Sequence, residues 1–173
     1  MKRRNISTIL AGKVFDVEQF DVEIGAKGWH TFQVIRHPGG VAVLPLHADG
    51  TVTLIRQPRP AIGMPLLELP AGRLDPEETP ENCGRRELLE ETGLAAEKFY
   101  PIGIIHSSPG VFDEVIHLFV ATGLTQNSPT PEADEDIDPV RIPVTEALQM
   151  ARQGFITDGK TIAALFRGEP FYL

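Results

Sequence analysis

Cysteine is almost missing from this 173-residue chain, where Cys83 stands alone. A single thiol forms no internal disulfide and cannot by itself build a metal site, so a cytoplasmic protein is expected. Long apolar runs are missing too: no stretch reaches the roughly 18 residues that span a bilayer, which excludes a membrane helix. The opening MKRRNISTILAG is basic but has no apolar stretch behind it, and so does not read as a signal peptide. Positive charge is in deficit. Sixteen Lys and Arg face 24 Asp and Glu, a formal charge of -8. Such a surface repels polynucleotide backbones, so no nucleic-acid partner is expected. A small anionic substrate is not excluded, because bound metal ions reverse the local field. What is present is 42% apolar residues, enough for a core, on a length that fits one domain or one domain with a short appendage.

The first residues past Gly12 alternate as strands do. Phe20, Val22 and Ile24 recur with a period of two, as do Phe32 and Val34, and Gly25 and Gly28 interrupt them. A hairpin or small antiparallel sheet is expected between Gly12 and Val34, in an N-terminal strand region over 1–36 ahead of a main domain over 37–173. Val41 to Leu46 and Thr51 to Ile55 flank His47-Ala48-Asp49-Gly50 and read as a hairpin. The clearest helix runs from Pro80 to Thr92. Thr79 caps it, Pro80 takes the first position, Glu81 favours the dipole, and Gly93 suits a left-handed end. Strands follow over 99–107, 114–121 and 140–144, then helices over 146–152 and 160–167. The order predicts an α+β fold, an αβα sandwich around a mixed sheet, without the repeating βαβ rhythm of a dinucleotide-binding domain.

Three carboxylates dominate that helix. Glu87, Glu90 and Glu91 stand at i, i+3 and i+4 and therefore share one face. Like charges so placed repel unless neutralised, and Arg86 alone cannot reach all three. Hard cations such as Mg²⁺ or Mn²⁺ take oxygen ligands and contact substrate phosphates as well. Taken alone, the triplet is equally consistent with a solvated acidic face.

The surrounding pattern separates those two readings. Residues 72–94, GRLDPEETPENCGRRELLEETGL, fill nine constrained positions at fixed spacing: Gly72, Glu78, Arg86, Glu87, Leu88, Glu90, Glu91, Gly93 and Leu94. The segment resembles the Nudix box, and the fold implied is the Nudix fold. The resemblance implies that Glu87, Glu90 and Glu91 are metal ligands, joined by a backbone carbonyl of Ala71 or Gly72. It also implies that Glu90 and Arg86 serve catalysis, with Arg86 holding Glu78 and fixing the loop over the helix. Gly72 would bend the chain tightly where the metal approaches. Gly84 is unexpected, since a mid-helix glycine costs about 1 kcal/mol against alanine.

The flanks resemble the ADP-ribose pyrophosphatase branch of that family over roughly residues 36–167. They comprise Arg56-Gln57-Pro58-Arg59-Pro60, Glu68-Leu69-Pro70-Ala71-Gly72, Ser108 to Glu114, and Ile156 to Thr161. At least one of Arg56 and Arg59 is expected on the substrate diphosphate, because arginine meets phosphate oxygens bidentately. Glu68 is expected at metal, ribose or a partner subunit. Pro109 and Gly110 either contact substrate or shape a turn, and Phe112 either stacks on a base or packs. In the acidic loop from Glu132 to Asp138, the resemblance implies a general base, Glu135, with Asp134 and Asp136 as rivals.

The implied reaction is hydrolysis of ADP-ribose to AMP and ribose 5-phosphate, with two or three Mg²⁺ or Mn²⁺ ions as cofactor. The implied assembly is a homodimer paired through the N-terminal strands, where Phe20 and Trp29 need something to bury against. The alternatives are the same chemistry on GDP-mannose, ADP-glucose or FAD, or a non-catalytic module that binds a nucleotide metabolite.

Overall fold

Strands β1 (Arg3–Ala11), β2 (Asp16–Glu23) and β3 (Trp29–Arg36) form a three-stranded antiparallel sheet in that order. The structure is a computed structural model that describes residues 1–129 and 136–173. It divides into two units: Met1–Gly39 with His106–Val115, and Gly40–Ile105 with Ile116–Leu173. The sheet belongs to the first. Register runs from Arg3 opposite Val22 to Ala11 opposite Asp16, and from Asp16 opposite Arg36 to Glu23 opposite Trp29. β2 turns into β3 through Gly25 and Gly28, both at positive φ, where a side chain would be strained. The period of two holds, since Phe20 and Val22 are buried. Phe20 is covered within the single chain, with the guanidinium groups of Arg3 and Arg36 at 4.7 and 5.4 Å from its ring. It therefore needs no second subunit to be buried.

The 106–115 segment is tied to the end of β3. Ile35 N–H donates to Val111 O (2.8 Å), Asp113 N–H to Ile35 O (3.1 Å), and Arg36 Nη1 to Asp113 Oδ2 (2.9 Å).

The second unit holds, apart from the end residues His106 and Val115, β4 (Gly40–Pro45), β5 (Thr51–Arg59), β6 (Met64–Glu68), β7 (Ala71–Arg73), α1 (Pro80–Thr92), β8 (Leu94–His106), β9 (Val115–Gln126), β10 (Asp138–Pro143), α2 (Val144–Gln153) and α3 (Gly159–Arg167). One sheet runs β7-β4-β9-β8 and the other β10-β5-β6. The first is mixed, with β4 parallel to β9 and antiparallel to β7. The α+β class and the αβα layering follow from β4 itself. Ala42 and Leu44 enter a core with Leu54, Leu118, Leu148 and Leu165, whereas Val41 and Val43 enter another with Cys83, Leu88 and Phe119. Alternate residues thus face α2 and α3 on one side and α1 on the other.

The hairpin expected between residues 41–46 and 51–55 does not form. Among the described residues the two segments meet in an isolated bridge, Leu46 to Val52, and one turn bond, His47 N–H to Thr51 O (2.9 Å). Both are apolar on both faces, so each becomes the interior strand of its own sheet, and the turn at Gly50 (φ 78°) passes the chain between them. α2 begins at Val144, two residues before the expected Glu146, and Pro143 rather than Thr145 sits at its cap. Gly84 has a packing reason: a Cβ there would stand 3.0 Å from Val41 Cγ1, 3.1 Å from Val43 Cγ2 and 3.2 Å from Phe99 Cε1. The glycine lets α1 lie close on β4.

Candidate active site

α1 is a polar helix whose ends are both fixed by local chemistry. Thr79 Oγ1 accepts from Asn82 N (3.3 Å), and Gly93, at φ 70°, donates its N–H to Leu89 O (2.8 Å). Leu88 and Cys83 anchor it to the core. That anchoring leaves Arg86, Glu87 and Glu90 partly exposed on one side, while Glu91 is 2% exposed.

Arg86 is the hub of this face. Its Nε and Nη2 donate to Glu78 Oε1 (3.1 Å) and Oε2 (2.9 Å), a bidentate fork that pins the loop before the helix. Nη1 donates to Glu87 Oε1 (2.6 Å) and Glu90 Oε2 (3.1 Å), and Nη2 also reaches Arg73 O (3.2 Å). The hydrogen bonds from Arg86 hold the Glu78 carboxyl below its usual range, and the same bonds, accepted by Glu78, push the Arg86 guanidinium up. Glu91 Oε2 accepts from Ala71 N (2.9 Å), which joins β7 to the far end of the helix. Burial first, and then the charges of Glu78 and Glu87, push the Cys83 thiol up to about 12, so it is an inert filler here.

Gly72 is required for space, not for a bend. Its φ is not positive, and a Cβ there would stand 1.9 Å from the Glu87 carboxylate carbon. The side chain of Glu87 lies where that Cβ would be.

These residues fit a divalent cation in donor chemistry. Three carboxylates lie on one helix face beside the β7 backbone, and two of them already meet on a single positive group. No cage of three His, Cys, Asp or Glu side chains stands ready-made among the described residues. Glu87 and Glu90 are drawn to the Arg86 guanidinium instead.

A second network lies on β5, β6 and α3. Glu68 is 1% exposed. Arg59 donates to it through Nε (2.7 Å) and Nη2 (2.8 Å), and Lys160 Nζ also bonds its Oε2. Lys160 is 3.0 Å from Asp158 Oδ1, and Asp158 Oδ2 caps α3 through Thr161 N (2.9 Å). The Thr161 hydroxyl in turn accepts from Leu69 N (2.8 Å). Burial opposes ionisation of Glu68, but Arg59 and Lys160 outweigh it and hold the carboxyl below its usual range. Gln57, on the same strand face as Arg59, has a buried Oε1 with no hydrogen-bond partner among the described residues.

Sequence reasoning placed Glu68 at metal, ribose or a partner subunit, and here its oxygens meet Arg59 and Lys160. Arg56 is exposed on β5 and makes no ion pair among the described residues. In the first unit, Pro109 and Gly110 are exposed, and Phe112 packs edge-on to His37 at 5.4 Å between ring centroids. Glu135 and its rival Asp134 lie outside the described residues, whereas Asp136 is exposed. Lys160 and Asp158 were not anticipated as site residues. Both lie in the Ile156 to Thr161 segment that carries part of the family resemblance, but nothing near it points to Glu68, 92 positions earlier.

Comparison with known proteins places the chain in a family. The chain is 35% identical over 159 residues to an ADP-ribose pyrophosphatase of Bacillus subtilis, covering 91% of this chain and 86% of that protein. It is 38% identical over 170 residues to a GDP-mannose pyrophosphatase of Cronobacter sakazakii, covering 91% and 85%. The crystal structure of an ADP compounds hydrolase superposes with a TM-score of 0.85 at 23% identity, covering 98% of this chain and 92% of that one, and so shares the fold. The NUDIX domain model matches residues 36–165, and the chain belongs to the Nudix family.

Proposed function

We propose that this protein hydrolyses the diphosphate bridge of ADP-ribose, releasing AMP and ribose 5-phosphate. The observation that carries the reading is the complete carboxylate face of α1, gathered around Arg86 and Glu78, in a chain 35% identical to an ADP-ribose pyrophosphatase over 91% of its length. Glu87, Glu90 and Glu91, with the backbone of Ala71, would hold Mg²⁺ or Mn²⁺ in two or three sites. Such ions would supply Lewis-acid chemistry there, neutralising diphosphate charge and lowering the pKa of a water.

The chain's own side chains do the rest. Arg86 keeps the Glu78 loop over the helix and holds Glu87 and Glu90 together. Arg59, oriented by Glu68, and the exposed Arg56 neutralise charge on the phosphates. Glu68 has both oxygens engaged and acts through Arg59. Pro109, Gly110 and Phe112 are proposed as substrate contacts on their chemistry alone, proline and phenylalanine offering flat apolar faces to a base. Glu135, or Asp134 or Asp136 beside it, takes the proton from water.

Relatives named GDP-mannose pyrophosphatase, at 38% identity, favour a second substrate for the same chemistry. The test is kcat/KM for ADP-ribose and GDP-mannose under one Mg²⁺ concentration. A higher value for ADP-ribose is expected; a higher value for GDP-mannose transfers the assignment.

The first unit exposes Ile6, Ile9, Leu10, Phe15 and Phe32, and β1 lies at the edge of its sheet. Apolar surface beside an open strand edge is buried in an assembly, so a homodimer through this sheet is proposed. Sedimentation at twice the 19.0 kDa chain mass is expected, and sedimentation as a single chain contradicts it. No described helix is long and apolar enough to cross a membrane. The free thiol of Cys83 accords with the reducing cytoplasm, and cell fractionation checks that location.

A further inference from the structure

Lys160 takes no part in the reaction set out above, yet it occupies an expensive position. Its side chain is 11% exposed, between Glu68 Oε2 and Asp158 Oδ1. It also stands in the first turn of α3, where the helix dipole disfavours a cation. A buried lysine at the wrong end of a helix breaks a local rule, and such breaks concentrate at functional constellations.

What it holds is the carboxylate that aims an arginine. Glu68 engages the Nε and Nη2 edge of Arg59, at 2.7 and 2.8 Å. A guanidinium has five donors in a planar fork, so among the described residues this leaves Nη1 and the other hydrogen of Nη2, which form the end-on edge turned about 120° from the first. That edge is the one that matches a phosphate bidentately. Arg59 is a long side chain whose own rotamers do not fix it. Its direction is set by Glu68, and Lys160 pins the Oε2 side of Glu68 to α3. Asp158, ordered as the α3 cap, holds Lys160 in turn. Glu68 ends β6 three residues before Ala71, whose N–H donates to Glu91 Oε2 (2.9 Å), so the carboxylate that aims Arg59 lies on the strand leading to the proposed metal-holding helix.

We infer that Lys160 is a positioning residue for the diphosphate: acting through Glu68, it pre-orients the free edge of Arg59. The inference rests on the reading that Arg59 meets the substrate diphosphate. Removing Lys160 would therefore weaken substrate binding with little effect on the chemical step.

The test is steady-state kinetics of the full chain with ADP-ribose and Mg²⁺, for Arg59→Met, Lys160→Met, the double variant and Lys160→Arg. Lys160→Met is expected to raise KM about tenfold with kcat within about threefold, the scale of a coupled pair. Lys160→Arg, which still spans two carboxylates, should recover most of the loss. Because Lys160 works through Arg59, the double variant should have the KM of Arg59→Met alone. A Lys160→Met enzyme with wild-type KM, or effects that multiply in the double variant, overturns the inference. If Lys160→Met does not fold, Glu68→Gln with Lys160→Met leaves no unpaired charge at that pair. Because Lys160 acts through Glu68, the KM of that combination should equal that of Glu68→Gln alone, and a further rise above that value overturns the inference equally. An Arg59→Met enzyme with unchanged KM would instead remove the underlying reading of Arg59.

Discussion

Replacing Glu90 with glutamine will lower kcat for ADP-ribose hydrolysis by about 10³-fold, while the urea midpoint stays close to wild type. Glutamine keeps the size of the side chain and removes its charge. Glu90 is 31% exposed at the side chain and meets Arg86 Nη1 at 3.1 Å. A pair so open to solvent contributes little to folding. The same charge is one of three that α1 offers to a divalent cation, and a Lewis acid stabilises the transition state by several kcal/mol. Activity and stability are therefore expected to separate. A variant that keeps more than a tenth of its kcat at saturating Mg²⁺ would remove Glu90 from the metal-holding set.

Gly72→Ala will cost about 10²-fold in kcat/KM, the scale expected when a reacting constellation is misplaced by about 1 Å. The added Cβ would stand 1.9 Å from both Cδ and Oε1 of Glu87 and 2.5 Å from Oε2. No pair of atoms tolerates that separation, so the carboxylate must leave its place. Because Gly72 is not at positive φ, alanine adds no backbone strain, and the variant tests room for Glu87 alone. The clashing atoms are the far end of the flexible Glu87 side chain and can give way, so the thermal midpoint should fall little. Wild-type activity in Gly72→Ala, measured beside a circular dichroism melt, would mean that the position of Glu87 against β7 is unimportant.

Much of α1 was legible because its code is local. Thr79, Pro80 and Gly93 each act within a turn of their own position, and the helix runs from Pro80 to Thr92 as those residues dictate. The hold of Arg86 on Glu78 was expected from the resemblance to the Nudix box, and the structure shows it as a bidentate fork. Pairing between strands was less legible. Val41 to Leu46 and Val52 to Ile55 are apolar on both faces, so alternation does not say which neighbour each will take, and a short turn suggested a hairpin where two sheets diverge. β1 gave no sign of itself, because RRNISTILA lies wholly exposed and has no buried face to impose a period on it. The Glu68–Lys160 pair joins positions 92 residues apart and has no signature in either neighbourhood. For Gly72 the requirement was legible but its cause was not: a glycine leaves the same mark in the sequence whether it serves a turn or makes room for Glu87.

The most direct test of the account is product analysis of the purified protein with ADP-ribose and Mg²⁺, with and without EDTA. The account predicts AMP and ribose 5-phosphate in equal amounts, with formation abolished by the chelator and restored by excess Mg²⁺. Folded protein that leaves ADP-ribose and GDP-mannose intact with metal present would contradict it, and formation of AMP undiminished by EDTA would contradict the role assigned to Glu87, Glu90 and Glu91.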